Sequence, residues 1–441
     1  MSRYTRPGMV VATVTVLAAT LAAAGCGGGR ATPAASSSST GVNLNGQSLE
    51  VIGEWTGAEQ AAFQAVLDGF SQKTGAKVTY TSGGNNVNVL LNSRLSGGAP
   101  PDVALIPQPG VVAQYAAKGQ LKELTGDTAA AVSANFSDAW KQLGTIDGKL
   151  YGVFFKVANK SVVWYRTDNF TSAGVQPPAT WDDLVKVSKT LTDSGVTPMA
   201  IPAGDGWPVT DWFENIYLRV AGRDKYNQLT SHQIPWTDPT VVQSLQLLGS
   251  YVSAANNIEK GAGQLTFTQS VADVFGEKPK AAMLYEGDFV AGEITKLGKA
   301  KVGTDAKFFN FPSTNGSAPA VEVAGDEAVQ FKDSPAAAAL MAYLASADAA
   351  KIWAGKGGFL SANKNLDPTA YPDDITRQLA DAVVKSQVAV FDMSDQTPQA
   401  FGGQTAADEW KLLTDFVSNP ANPAGTATAL EAAAVKDYGS K

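Results

Sequence analysis

The sequence predicts an α/β protein built on a parallel sheet, and three observations predict it. Short apolar strands alternate with amphipathic helices from residue 49 onward; 44% of the chain is hydrophobic against 17% charged; and one Cys among 441 residues rules out an internal disulfide, so a buried core must hold the fold. At roughly 150 residues per domain, the length allows two or three domains. Lys and Arg number 34 against 41 Asp and Glu, a formal charge of -7. That balance, without a basic run, excludes a protein that tracks nucleic-acid phosphates. One His and one Cys also exclude thiolate and imidazole zinc sites and Cys-His nucleophilic catalysis.

Taken in order, the chain opens with a leader. Arg3 and Arg6 precede an uncharged stretch from Met9 to Ala24, the pattern of a signal peptide over residues 1–25. The stretch is shorter than the roughly 20 apolar residues that cross a bilayer. Leu21-Ala22-Ala23-Ala24-Gly25-Cys26 is similar to a bacterial lipobox, with Ala23 where that pattern usually has Leu, and implies a lipid on Cys26. Cleavage there leaves 32 basic against 41 acidic residues, a charge of -9. Residues 26–47, rich in Gly, Ser, Ala and Thr, read as a flexible tether.

The folded part begins at Leu49. Leu49–Ile52 reads as a strand, and Phe63, Val66, Leu67 and Phe70 mark a helix that Gly75 caps. Lys77–Thr81 alternates as a second strand; Val87, Leu90, Leu91 and Leu95 mark a second helix; Gly97-Gly98-Ala99-Pro100-Pro101 ends it before the apolar strand Val103–Ile106. In such sheets ligands sit at the carboxyl ends of strands, here Gly53–Gly57 and Pro107–Gly110. Further on, helices are expected at 181–193 and 238–255, capped by Thr180 and Thr237, with an aromatic-rich loop and helix start from Gly204 to Leu218 between them. Ala281–Tyr285 reads as a strand, and Pro335–Trp353 as one long Ala-rich helix stopped at Gly355.

Several loops mix aromatic rings with carboxyl and amide groups. A pyranose offers apolar C–H faces and directional hydroxyls, so a sugar site pairs stacking rings with such acceptors and donors. The candidates are Glu54 and Trp55, Gln108, then Trp207, Asp211 and Trp212, then Tyr285, Glu286, Asp288 and Phe289, then Asp326 and Glu327, and Phe359. Asp211 reads equally as a helix cap, and Glu286 and Asp288 as solvated turn residues. Lys156 and Asn159 are as well placed for structure as for ligand, and Tyr151 and Gly152 shape a turn. Trp140, Trp164, Trp181, Trp353 and Trp410 read as core, and His232 as a surface residue without chemistry. Serine-hydrolase, phosphate-loop and zincin motifs are absent, so those enzyme classes have no support. A glycosidase needs only two carboxylates, which Glu54, Asp211, Glu286, Asp288 or Asp326 would supply, and it stays open as an alternative.

The segments Gly97–Gly110, Val162–Phe170, Pro178–Leu184, Gly206–Gly222, His232–Val242, Ala282–Gly292 and Lys356–Lys364 carry a resemblance. The chain resembles the family-1, maltose-binding-like extracellular solute-binding proteins of bacterial ABC importers, and within them the alpha-glucoside-binding branch. The resemblance implies a two-lobed periplasmic-binding-protein-like fold with an interlobe cleft, lobe 1 at 48–155 plus 301–350 and lobe 2 at 156–300 plus 351–441. It implies ligand contacts at Glu54, Trp55, Gln108 and Phe289, where many members have Trp, and at Asn159, Trp207, Asp211, Trp212, Glu286, Asp288, Asp326 and Phe359. It further implies a monomer that binds a sugar without metal, cofactor or catalysis, delivers it to an ABC permease, and stays outside the cytoplasm, anchored to the cell membrane through its lipid. A binder of a non-sugar solute is the second alternative.

Overall fold

The computed structural model describes residues 42–385 and 389–439; the leader, Cys26 and most of the expected tether lie outside them. Its strands are β1 Ser48–Gly53, β2 Lys77–Ser82, β3 Val103–Ile106, β4 Thr145–Ile146, β5 Lys149–Leu150, β6 Gly152–Asn159, β7 Val162–Arg166, β8 Thr197–Ala200, β9 Ala281–Tyr285, β10 Ala306–Asn310, β11 Val321–Gln330 and β12 Ala389–Phe391. Two sheets organise them. The first runs β12-β11-β3-β1-β2 with β6 also on β11; the second runs β10-β7-β9-β8; β4 and β5 form a separate hairpin. The β1, β2 and β3 pairings are parallel, as the strand-helix alternation requires. β11 runs antiparallel to β3 and β6, so the sheet is mixed where the sequence predicts a parallel one.

Burial follows the strand patterns. Every residue of β3, β6 and β9 is buried, whereas edge strand β2 alternates between exposed and half-buried positions. The first helix spans Gly57–Thr74 and ends on Gly75, whose φ of 80° lets its N–H reach Ser71 O. Thr180 caps Trp181–Asp193 by accepting from Asp183 N. Two helix expectations need correction. The helix expected from 238 spans Pro239–Ser253, and Asp238, accepting from Thr240 N, is its cap in place of Thr237. The Ala-rich segment is two helices, Pro335–Leu344 and Ala347–Ala354, because the Ser346 side chain accepts from Ala349 N and starts a new turn.

Strand pairing carries the chain back and forth between the two sheets. β6 stays hydrogen-bonded to β11 through Asn159, and β7 joins the second sheet at Val162. β10 pairs with β7, so the chain returns to the first sheet only between Asn310 and β11. Helix Ala347–Ala354 packs on Gly57–Thr74, and β12 pairs with β11, which places Ala389–Phe391 on the first sheet. After that, helices Asp408–Ser418 and Pro423–Tyr438 pack on Trp207–Thr230 and Pro239–Ser253. Among the described residues no helix is long and apolar enough to cross a membrane.

Candidate ligand cleft

A cavity of about 400 Å³ lies where both sheets contribute, lined by segments from many parts of the chain. The turn after β1 supplies Glu54 and Trp55, and the turn after β3 supplies Gln108. These are the carboxyl ends of parallel strands, where side chains must leave the sheet. β6 supplies Lys156 and β11 supplies Asp326; the start of helix Trp207–Thr230 supplies Trp207, and the turn after β9 supplies Phe289. Gly206 precedes Trp207 at φ 85°, a left-handed turn that sets the indole at the helix start.

One wall is aromatic. Trp207 lies 5.7 Å from Phe267 and 6.0 Å from Phe289 between ring centroids, and Phe267 meets Phe289 edge-on at 5.4 Å. Facing it are amides and charges. Gln108 Oε1 accepts from Asn88 Nδ2 at 2.6 Å, and the same amide reaches Gly403 O across the cleft. Asn85 Nδ2 donates to Asp205 Oδ1 at 3.1 Å at the mouth. Lys156 Nζ sits 3.0 Å from Glu59 Oε1 and 3.7 Å from Asp326 Oδ2, and 5.1 Å from the Phe289 centroid. Burial works against its ammonium, but Glu59, Asp326 and Asp288 outweigh that and raise its pKa above the usual lysine value. Burial and the carboxyls of Asp326 and Glu59 push Glu54 well above the ordinary carboxylate range.

Six predicted residues meet at this cavity: Glu54, Trp55, Gln108, Trp207, Phe289 and Asp326. The other six lie behind its walls. Trp212 is fully buried between Tyr251, Tyr285 and Phe311. Phe359 stacks at 5.2 Å on Trp353 in the buried core. Asp288 Oδ1 accepts from Asn159 N at 2.6 Å, and Asn159 Oδ1 accepts from Ser161 N, so this pair shapes the β6–β7 crossover. Asp211 accepts from Lys160 Nζ at 3.2 Å, and Glu286 is fully buried next to them. Asp211 is therefore neither a helix cap nor a free ligand group here, and Glu286 is not a solvated turn residue.

Sequence reasoning missed Glu59, Asn85, Asn88, Lys160, Phe267 and Trp410, all of which line the cavity. Trp410, read as core from its helical spacing, is buried and borders the cavity at once. Glu59 carried a readable signal, since it lies one helical turn beyond Trp55, on the first turn of the helix that follows β1. Lys160 Nζ lies 5.2 Å from the Trp207 centroid and bridges Asp211 and Asp392. Asp211, Glu214 and Asp392 bring carboxylate oxygens within 4.8 Å of one another, the donor set of a hard-cation site. Lys160 supplies the positive charge there, and Glu214 is engaged by Met393 N, Ser394 N and Tyr226 Oη.

A two-lobed α/β body with a ring-and-amide-lined cleft between its sheets defines a solute receptor. The sequence profile of the bacterial extracellular solute-binding proteins matches residues 54–351, and the chain belongs to that family. It is 33% identical over 392 residues to the osmoprotective compounds-binding protein GgtB of Synechocystis sp., covering 86% of this chain and 91% of that one. It is 31% identical to the alpha-glucosides-binding periplasmic protein AglE of Rhizobium meliloti, covering 86% and 85%. Among solved structures, the bacterial solute receptor AcbH, which prefers b-D-galactopyranose, superposes with a TM-score of 0.79 over 89% of this chain and 99% of its own at 23% identity. The GacH receptor of Streptomyces glaucescens, solved unliganded and with acarbose, gives 0.72 over 90% and 99% at 18% identity. At those identities the structural likeness speaks to the fold.

Proposed function

We propose that this chain is the substrate-binding component of a carbohydrate ABC importer, capturing an α-glucoside or short oligosaccharide and delivering it to a membrane permease. The observation that carries the reading is the cleft itself, where the wall of Trp207, Phe267 and Phe289 offers apolar faces beside Gln108, Asn88 and the ion pairs of Lys156 with Glu59 and Asp326. Rings stack on the C–H faces of a pyranose while amides and carboxyls fix its hydroxyls. AglE and GgtB, which carry names for alpha-glucosides and osmoprotective compounds, support the substrate class.

The lobes, 48–159 with 321–391 and 160–320 with 392–439, close about the three crossings and enclose the sugar. A lipid on Cys26 keeps the receptor, a monomer, beside its permease. Binding without bond cleavage is supported by the family and by relatives that carry the names of binding proteins.

Thermal unfolding against a sugar panel tests the reading. A ligand that binds only the folded state stabilises it by about 2.7 kcal/mol at one hundred times Kd. α-Linked glucosides should raise the midpoint with concentration; a panel that leaves it unmoved, or that releases reducing ends, rejects the reading.

A further inference from the structure

Three acids at the cavity already have partners. Glu59 and Asp326 pair with Lys156 at 3.0 and 3.7 Å, and Asp205 accepts from Asn85 Nδ2 at 3.1 Å and from Phe267 N at 2.7 Å. Asp395 differs. It lines the cavity and is only 5% exposed, yet among the described residues no N–H or O–H donates to its carboxyl oxygens. A buried polar group without a partner costs stability, and in a native protein it calls for an explanation.

The chain around Asp395 is pinned, which aims that carboxyl by construction. β12 runs beside the start of β11, and at its end Asp392 N donates to Val323 O at 2.8 Å; the next residues of β11, Ala324 to Asp326, line the cavity. Asp392 Oδ1 then accepts from Asp395 N at 3.0 Å and from Ser394 Oγ at 2.9 Å, while Asp392 Oδ2 takes Lys160 Nζ at 2.5 Å. Glu214 holds Ser394 N at 3.1 Å from helix Trp207–Thr230. Lys160 lies 5.2 Å from the Trp207 centroid, so this turn sits next to the aromatic wall. The hydroxyl of Ser394 is spent on Asp392, and the carboxyl of Asp395 is the polar group the turn presents to the cavity.

We propose that the Asp395 carboxyl group hydrogen-bonds two neighbouring hydroxyls of the bound sugar, one at each oxygen, and is a specificity-determining residue for a pyranose with a vicinal diol. This rests on the sugar-binding reading of the same cleft. Both oxygens lack a partner in the ligand-free protein, and a planar carboxyl spans hydroxyls on adjacent ring carbons. A site that meets hydroxyls with a buried polar group rejects an analogue lacking one, because the group is left unpaired.

Calorimetric titration of the full chain with maltose, with trehalose and with analogues of each that lack one hydroxyl tests the proposal, alongside thermal unfolding of the ligand-free protein. Asp395→Ala should bind the sugar about tenfold or more weakly than wild type, while its ligand-free midpoint stays level or rises, since it loses a buried group that no donor satisfies. Asp395→Asn keeps two polar atoms in one plane and should recover most of the affinity, because sugar hydroxyls both donate and accept. Two analogues, lacking hydroxyls on adjacent carbons, should lose about tenfold or more in affinity for wild type and less than about threefold for Asp395→Ala. Wild-type affinity in Asp395→Ala, a lowered ligand-free midpoint in that variant, or analogues that lose as much against Asp395→Ala as against wild type overturns the proposal while sugar binding stands. Failure of both disaccharides to bind wild type overturns the α-glucoside reading and the proposal with it.

Discussion

Replacing Lys160 by Met removes one charge from the middle of a buried carboxyl cluster and keeps the apolar stem. Lys160 Nζ lies 3.1 Å from Asp211 and 2.5 Å from Asp392, with side-chain exposures of 10%, 1% and 0% for the three residues. Asp395 and Glu286 also face the ammonium. Without it Asp392 remains as a buried carboxylate lacking its cation, and losing one partner of a buried pair costs about 3–5 kcal/mol. The pH dependence has a definite sign. Burial opposes the charge of Asp392, but Lys160 and the donors Asp395 N and Ser394 Oγ hold its pKa below the usual value. Its contribution is therefore present above the unfolded-state value and lost on acidification. In Lys160→Met the same carboxyl moves up, so the gap to wild type is widest at pH 7 and narrows toward pH 4. Asp211, pushed up to about 8 by burial against the pull of Lys160, is largely protonated at pH 7 and adds little to the gap. Urea unfolding followed by tryptophan fluorescence and circular dichroism at pH 7 and pH 4.5 measures it. A gap under about 1 kcal/mol, or one equal at both pH values, would refute the ionic account of this cluster.

Two further variants probe buried groups. Glu327 is buried with both carboxyl oxygens unpartnered, and burial raises its pKa from 4.5 to about 8. The native state keeps a proton that the unfolded chain releases, so wild type loses stability between those values. Glu327→Gln should remove that loss and gain at most ~5 kcal/mol over wild type by pH 8, read as a shift in denaturation midpoint; equal midpoints at pH 5 and pH 8 would count against it. Trp212→Ala empties a site with no exposure and should cost about 3–5 kcal/mol in unfolding free energy; a cost below 1 kcal/mol would mean the indole is not the packed core residue described.

Much of the fold was legible because its signals are local. β1, β3 and β9 are short apolar runs between Gly, Pro and acidic turns, and Gly75 and Thr180 carry their capping chemistry in their own side chains or lack of one. The β1 and β3 turns were legible as ligand loops because topology alone puts them at strand ends. What stayed hidden depends on partners distant in sequence. Trp212 and Trp207 sit in the same aromatic segment, yet their spacing sets them on different faces of the helix, the first in the core and the second at the cleft. Asp211 and Glu286 carry the sequence signature of ligand acids, but Lys160, far from both in the chain, draws them into a buried cluster. The sheets that β10 and β12 join were also hidden, because strand pairing follows register and not composition.

Calorimetric titration of α-linked disaccharides into wild type and Trp207→Ala reads out whether the cleft binds a sugar on its aromatic wall. Wild type should bind one sugar per chain, and the loss of the indole should weaken binding by about 2 kcal/mol, roughly thirtyfold in Kd. Absence of binding in wild type, or equal affinity in the two proteins, would contradict binding on that wall.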